Sequence, residues 1–269
     1  MKRVCLFLFS GTGMTKYIVD KMKREFEKHQ VHVDVFRIED AHIQSILFDT
    51  YDIAGIAYPV HSFNAPKIVI DFAKRLPKTE SKRTFIISSA GAYAPVNFAS
   101  SSLLIKVLRK KRFDIFYDRT FEMPANFMIK DDEAKVLGKI KKADAEIPSA
   151  VSEIINNVPI MQHSGLNAKA AAFLGRVEWH GAKFAGKFFY TAESCNGCGV
   201  CADNCPNHNI IISNKRAGFR WDCGLCMRCL YMCPNHSIRV RRPLRFIGFN
   251  SWYENEELSI AGLKRSGHS

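Results

Sequence analysis

A chain of 269 residues, of which 47% are hydrophobic and 24% charged, is long enough to bury a core and to fold as one large or two unequal domains. Its composition excludes a disordered or fibrous protein, and no run of residues approaches the ~18 consecutive apolar residues that a membrane-spanning helix needs. The formal charge of +13 at pH 7 is typical of proteins that bind nucleic acid, unless bound anionic groups offset part of it.

The chain opens on an apolar segment that imitates a secretion signal. Val4–Phe9 is shorter than the apolar core of a signal peptide, which has about 7–15 residues, and the Gly/Thr segment after it is no cleavage site. We therefore interpret Val4–Phe9 as a first strand and expect a cytoplasmic protein.

Predicted strands and helices alternate through residues 1–159. The strands are predicted at Val4–Phe9, His32–Ile38, Ile53–Tyr58, Thr84–Ser89 and Asp114–Phe121. The helices between them are predicted at Thr15–Lys28, Ala65–Arg75 and Ser100–Lys110. Five strands that alternate with helices predict an α/β domain with a doubly wound parallel sheet.

The sequence after the predicted strands has further parts. Asp131–Asn157 is helical in composition, and we expect Pro148 to split it into two helices. In residues 160–188 small residues alternate with large apolar ones, which predicts a helical connector whose apolar side docks two domains. Residues 189–245 hold the clustered cysteines, and residues 246–269 form a predicted C-terminal tail.

Eight of the nine cysteines lie between Cys195 and Cys233 and form the pattern CxxCxxCxxxCP twice. The first copy has Cys195, Cys198, Cys201 and Cys205, and the second has Cys223, Cys226, Cys229 and Cys233. The copies are offset by 28 residues, and CPNHNI at 205–210 returns as CPNHSI at 233–238. Such crowding without an export signal favours metal binding over disulfides. Cys5 stands apart and is expected to be a small buried apolar residue.

This repeat resembles the bacterial-type 2(4Fe-4S) ferredoxins over about residues 189–240, with all eight ligand positions filled. The resemblance implies a small α+β domain whose two 4Fe-4S clusters transfer single electrons, and in which each cluster takes its fourth ligand from the other half. It thus implies one cluster on Cys195, Cys198, Cys201 and Cys233, and one on Cys205, Cys223, Cys226 and Cys229. A pair of zinc sites is the alternative, although these usually combine close cysteines with distant ligands.

A glycine-rich turn lies between the first predicted strand and the first predicted helix. It consists of Ser10, Gly11, Thr12, Gly13, Met14 and Thr15. At this position backbone N–H groups and the positive end of a helix meet a phosphate, and glycines let the backbone close around it. The turn matches neither the GxGxxG pattern of dinucleotide sites nor the GxxxxGK[ST] pattern of triphosphate sites.

The turn resembles the FMN-phosphate loop of flavodoxins, and the pattern of strands and helices as far as Phe121 is similar to the flavodoxin fold with strand order 2-1-3-4-5. In that family the flavin ring lies at the carboxyl ends of the third and fourth strands. These ends carry Pro59, Val60, His61, Ser62, Phe63 and Asn64, and then Ser89, Ala90, Gly91, Ala92 and Tyr93. Phe63, His61 and Tyr93 are the candidate ring contacts. The alternative is an α/β fold without a ligand, since sheet-to-helix turns favour Gly, Ser and Thr anyway.

The whole chain resembles the flavodoxin–ferredoxin fusion proteins of anaerobic bacteria and archaea. The resemblance implies electron transfer between two 4Fe-4S clusters and an FMN, because FMN holds up to two electrons and each cluster carries one. Two clusters and an FMN phosphate contribute about −4 and −2, which leaves a charge of roughly +7. A basic surface favours acidic redox partners such as ferredoxins or flavoproteins.

Two other functions stay open at this point. One is an FMN-dependent reductase that acts directly on a small-molecule acceptor, with His61 or Tyr93 donating a proton near the ring. The other is nucleic-acid or membrane binding by the basic segments 109–112 and 239–245. Such charge runs are usually solvated faces, so we expect no nucleic-acid partner and no membrane span.

Overall fold

The computed structural model describes residues 1–43, 46–92, 95–127, 129–242 and 244. The chain divides into two compact units. The first unit comprises Met1–Phe9, Met14–Pro124 and Asp132–Arg176, and the second comprises Ser10–Gly13, Ala125–Asp131 and the chain from Val177 onward. The segment Ser10–Gly13 therefore belongs to the same unit as the clustered cysteines. The domain boundaries near residues 159, 188 and 245 stay predictions, and the predicted tail 246–269 lies outside the described residues.

The first unit contains a five-stranded parallel sheet. Its strands are β1 (Arg3–Leu8), β2 (His32–Arg37), β3 (Ile53–Pro59), β4 (Lys82–Ala90) and β5 (Phe113–Glu122). Their order is β2-β1-β3-β4-β5, with Val4 aligned on Val33 on one side and on Ile53 on the other. Strands β1 and β3 are buried almost throughout, which explains their continuous apolar sequences. This order confirms the predicted flavodoxin-like doubly wound fold.

Helices cover the two faces of this sheet. They are α1 (Met14–Lys28), α2 (Lys67–Arg75), α3 (Ser102–Lys110) and α4 (Glu133–Ile155). Helix α1 packs against α4, and α2 packs against α3. Each buries apolar residues at helical spacing, as Ile18, Met22 and Phe26 show in α1. Among the described residues, no helix combines the length and the hydropathy that crossing a bilayer requires.

The prediction that Pro148 splits the helix of residues 131–157 is wrong. Helix α4 runs unbroken from Glu133 to Ile155 with Pro148 inside it. Buried residues on both sides of the proline, from Val136 to Ile154, lie along one face of the helix. We attribute the continuity to this shared apolar face, whose burial outweighs the roughly 3 kcal/mol that an interior proline costs.

The connector is helical, as predicted, but its large apolar residues do not form a buried side. It contains α5 (Leu166–Gly175), in the first unit, and α6 (Glu178–Ala185), in the second. The residues buried in these helices are alanines: Ala168, Ala172, Ala182 and Ala185. Phe173, Leu174, Val177 and Phe184 are all more than 60% exposed. Small side chains therefore make the close contacts of both helices.

The second unit is built from short elements that surround the cysteines. Its antiparallel pairs are β6 (Asn126–Phe127) with β7 (Ile129–Lys130), β8 (Phe189–Thr191) with β11 (Ile238–Val240), and β9 (Ile210–Ser213) with β10 (Arg216–Phe219). Its short helices after α6 are α7 (Val200–Asp203) and α8 (Arg228–Met232). Phe189, Ile210, Leu225, Leu230 and Ile238 are among the apolar residues of its small core.

Candidate functional site

The backbone of the second unit repeats with the 28-residue offset of the cysteines. Gly197 and Leu225 have left-handed φ angles of 71° and 47°. Gly199 and Met227 are also left-handed, with φ angles of 82° and 59°, and α7 and α8 begin directly after them. Each CxxCxxC loop therefore turns through two left-handed residues before a short helix. The second loop has Leu225 and Met227 at these two positions instead of glycine, and residues with a Cβ atom pay a steric cost in the left-handed conformation.

Reciprocal hydrogen bonds join the two halves of the repeat. The Asn207 side chain donates to the carbonyl of Asp222 at 2.8 Å, and the Asn235 side chain donates to the carbonyl of Ser194 at 3.2 Å. Asp222 and Ser194 directly precede the first cysteine of each motif. The CPN segment at the end of each motif is thus hydrogen-bonded to the start of the other motif, as expected for a pseudo-twofold arrangement.

Two cavities each collect four cysteines. The cavity that we call the first cluster site is lined by Cys195, Cys198, Cys201 and Cys233. The cavity that we call the second cluster site is lined by Cys205, Cys223, Cys226 and Cys229. Each cavity takes three cysteines from one motif and the last cysteine of the other. Among the described residues, no three His, Cys, Asp or Glu side chains are grouped to hold a single metal ion.

The thiols of each set disfavour one another's ionisation. Burial, and after it the charges of Cys233, Cys198 and Cys195, raises the pKa of the Cys201 thiol to about 12. Burial and then Cys226, Cys223 and Cys205 raise the pKa of Cys229 well above its usual range. Four thiolates in such a cavity need a cationic group to offset their repulsion and desolvation, and iron centres supply one.

Backbone N–H groups point at the sulfur atoms. Asn209 N–H donates to Cys205 Sγ at 3.3 Å, and Ser237 N–H donates to Cys233 Sγ at 3.2 Å, each four residues after its cysteine. Leu225 N–H donates to Cys223 Sγ at 3.4 Å. Hydrogen bonds of this kind stabilise thiolate charge and influence the reduction potential of a bound cluster. The donor set therefore fits 4Fe-4S clusters.

Two glycines allow close approach to the second cluster site. A Cβ atom on Gly186 would lie 2.3 Å from Cys223 Cβ, and one on Gly11 would lie 2.1 Å from the carbonyl oxygen of Cys226. Gly11 belongs to Ser10–Gly13, where Gly13 has a φ of 100° and donates its N–H to Ser10 Oγ at 3.2 Å. This part of the predicted phosphate loop thus contacts the second cysteine motif.

The other residues of the predicted flavin site lie in the first unit. Met14 and Thr15 begin α1 and are buried, and Thr15 Oγ1 lies 2.8 Å from Ser89 Oγ. Val60 N–H donates to the carbonyl of Ser89 at 2.8 Å. The structure therefore brings the start of α1 together with the ends of β3 and β4.

The loop after Pro59 and Val60 is a tight turn fixed by α5. His61 and Asn64 pair through their backbones, while Ser62 and Phe63 have φ angles of 40° and 63°. The buried Asn64 side chain donates to the carbonyl of Ala172 at 2.7 Å. Phe63, at the tip of this turn, is 38% exposed.

Strand β4 ends at the buried Ala90, and the loop after it begins with Gly91 and Ala92, both exposed. The ammonium group of Lys139 donates to the carbonyl of Gly91 at 2.6 Å, and the Asn97 side chain donates to the carbonyl of Ala92 at 2.9 Å. Tyr93, the third candidate ring contact, lies outside the described residues.

Sequence reasoning missed several residues that shape the second unit. Asn207 and Asn235 were visible in the repeated CPNH segment, but the sequence did not show that their side chains form hydrogen bonds between the two halves. Gly186 carries no local signal, because its importance comes from a contact with a residue far along the chain. Arg228 was also missed, although it is visible as a charge where the first half of the repeat has Val200.

Comparison with known proteins supports the description of the cysteine-rich part. A family model described as a 4Fe-4S binding domain (Fer4) matches residues 189–211. No curated protein sequence matches the chain.

Several solved structures are similar to it. An archaeal flavodoxin is 14% identical with a TM-score of 0.34, over 56% of this chain and 99% of the flavodoxin. Flavodoxin 1 from Bacillus cereus is 18% identical with a TM-score of 0.37, over 55% and 98%. Rubredoxin oxygen:oxidoreductase from the anaerobe Desulfovibrio gigas is 13% identical with a TM-score of 0.41, over 60% of this chain and 38% of the other.

Proposed function

We propose that this protein transfers electrons between two 4Fe-4S clusters and an FMN. The proposal starts from a chain that joins a flavodoxin-like fold to a ferredoxin-type 4Fe-4S binding domain. When bound, FMN accepts or releases one or two electrons, whereas each cluster exchanges one. The protein would thus exchange single-electron and two-electron steps with redox partner proteins. A compartment that keeps thiols reduced, such as the cytoplasm, suits its cysteine-rich sequence.

The arrangement of the two cysteine sets carries this proposal. Each set combines three cysteines from one motif with the last cysteine of the other, and that crossing is the ligand pattern of two-cluster ferredoxins. The backbone N–H donors at Cys205, Cys223 and Cys233 suit thiolate sulfur. All eight cysteines of the two motifs are free of disulfides.

The FMN part of the proposal rests on the predicted loops. Ser10–Gly13 would hold the phosphate through backbone N–H groups and the hydroxyls of Ser10 and Thr12, with Met14 and Thr15 at the start of α1 adding the positive end of the helix. The turns at residues 59–64 and 89–93 would hold the ring. Phe63 supports this assignment because a partly exposed ring at the end of β3 is suited to stacking.

The first experiment measures iron, acid-labile sulfide and flavin in protein that has been purified anaerobically, reconstituted and incubated with FMN. We expect about eight iron atoms and one FMN per chain, with the electron paramagnetic resonance signal of reduced 4Fe-4S clusters. Zinc without iron would contradict the cluster proposal. Iron without retained FMN would contradict the flavin proposal alone. Cys5→Ala is the control, because Cys5 is buried in β1 outside both motifs.

Paired cysteine variants test whether the ligands cross. Cys201→Ala should lower the iron content to about four atoms per chain, and adding Cys233→Ala should lower it no further, because both residues belong to the first cluster site. Complete loss of iron from the Cys201→Ala/Cys233→Ala variant would contradict crossing, since it would place the two residues in different clusters. Cys201→Ala/Cys205→Ala gives the opposite test and should lose all iron.

Reduction of acceptors separates protein-to-protein transfer from direct reduction. We expect reduced protein to pass electrons to an acidic ferredoxin or flavodoxin, at a rate that falls as ionic strength rises. Steady turnover of a small-molecule acceptor without any protein partner would support a reductase instead.

A further inference from the structure

The two halves of the second unit differ at one position by a buried charge. Arg228 begins α8, and the residue 28 positions earlier, which begins α7, is Val200. Arg228 is 1% exposed and is the largest of the fully buried side chains described in the chain. It lines the second cluster site, whereas Val200 lines the first. The two sites therefore differ by a buried positive charge.

Hydrogen bonds hold the guanidinium group of Arg228 beside the second cluster site. Nη1 donates to the carbonyl of Asn204 at 3.2 Å, and Nη2 donates to the carbonyl of Ser10 at 2.7 Å. Nε also donates to Ser10, at 3.2 Å. Asn204 precedes the ligand Cys205, and Arg228 itself precedes the ligand Cys229. The guanidinium is thus held by the backbone next to Cys205, and Arg228 forms part of the wall of the second cluster site.

We propose that Arg228 makes the two clusters unequal by raising the reduction potential of the cluster in the second site above that of the cluster in the first. The inference rests on the proposed function. Reduction adds a negative charge to a cluster, so a nearby positive charge stabilises the reduced form. Burial strengthens the effect, because a charge removed from water is weakly screened.

The two carboxylates near the sites do not cancel this difference, and Lys215, whose backbone lies against Gly197 of the first site, is exposed to water. Asp222 lies before Cys223, but its side chain is 62% exposed and pairs with Lys183 at 3.3 Å. Asp203 lies beside the first CxxCxxC loop, where a Cβ on Gly199 would be 3.5 Å from its carboxylate, and it is exposed. Its counterpart in the second half is Tyr231, which is uncharged at neutral pH. Asp203 therefore acts in the same direction as Arg228, by lowering the potential of the first site.

The test measures the potential of each cluster separately by titration with dithionite, followed by electron paramagnetic resonance. Cys201→Ala leaves the cluster of the second site, and Cys229→Ala leaves that of the first. In the Cys201→Ala protein, Arg228→Gln should reduce the equilibrium constant for reduction at least tenfold, which is a fall of about 59 mV for one electron. Arg228→Lys, which keeps the charge, should restore at least half of that shift. In the Cys229→Ala protein, Arg228→Gln should have a much smaller effect.

An unchanged potential in the Cys201→Ala/Arg228→Gln protein would overturn the proposal, and so would equal shifts in both backgrounds. If Arg228→Gln prevents the second cluster from being retained, Val200→Arg in the Cys229→Ala protein decides the question. A rise in the potential of the first cluster supports the proposal, and no rise overturns it. Failure of the proposed function itself would look different, because the unsubstituted protein would then hold no 4Fe-4S cluster to titrate.

Discussion

The replacement of Gly186 by alanine tests how closely the connector approaches a cluster ligand. A Cβ atom at this position would lie 2.3 Å from Cys223 Cβ and 3.3 Å from its Sγ. Carbon atoms in contact prefer a separation of about 3.5 Å, so the segments that carry residues 186 and 223 would have to move apart by roughly 1.2 Å. Metal sites tolerate ligand displacements of about 0.2 Å, which is several times less. Overpacking of this kind also costs about 1–3 kcal/mol of folding free energy.

We therefore expect Gly186→Ala to lose the cluster of the second site and to retain that of the first. Iron content should fall from about eight to about four atoms per chain, with the resonance signal of one cluster remaining. Gly181→Ala is the matched control, because this glycine lies in α6, five residues earlier, and a Cβ there meets nothing within 4 Å. It should keep all the iron and gain about 0.5–1 kcal/mol of stability, since alanine replaces a helical glycine.

Full iron content and an unchanged resonance signal in Gly186→Ala would refute this reasoning, because Cys223 would then not be a ligand held in the position described. Loss of both clusters would refute it too, since the displacement concerns one site only.

Three further predictions concern the described residues of the first unit and the accessibility of the thiols. Burial raises the pKa of Asp118 from 3.8 to about 7, so the folded chain keeps a proton that the unfolded chain releases, and the free energy of unfolding should fall from pH 4 to 7. In Asp118→Asn, the free energy of unfolding measured in urea should fall by up to about 4 kcal/mol less over this pH range than in the unsubstituted protein. The same pH dependence in both proteins would contradict this. Burial raises the pKa of Cys5 to about 12, so iodoacetamide at pH 8 should modify exposed Cys198 in the cluster-free protein and spare Cys5, as peptide mass analysis would show. Asn64→Ala should cost about 1–3 kcal/mol, because the buried carbonyl of Ala172 loses its donor; an unchanged thermal midpoint would exclude this.

The sheet was predictable because its signals are local. Each strand of the first unit is an apolar run between turns, and the alternation of strands with helices predicts a parallel sheet. The strand order itself was implied by the resemblance to flavodoxins. The interior of α4 was not predictable in this way. The rule that proline ends a helix is local, whereas the burial of Ile147 and Val151 beside Pro148 depends on packing against other elements.

The repeated cysteine motif is visible in the sequence, and the crossed grouping of its cysteines followed from its resemblance to two-cluster ferredoxins. The residues that shape the surroundings of those cysteines were not predictable. Gly186 and Cys223 are 37 residues apart, and Arg228 and Ser10 are 218 residues apart. Contacts over such separations depend on the folded chain and leave no periodic pattern. The connector was misjudged for a related reason, since an apolar composition does not reveal whether alanines or larger side chains make the contacts.

The inclusion of Ser10–Gly13 in the second unit has a consequence for dissecting the protein. A fragment that starts at Val177 would contain all eight cysteines of the two motifs but would lack the carbonyl of Ser10. The guanidinium of Arg228 would keep its bond to Asn204 but lose the two to Ser10, and removing partners from a buried charge is destabilising. Transfer of the cysteine-containing unit to another protein would therefore require Ser10–Gly13 as well. A single cut in the sequence does not separate the two units.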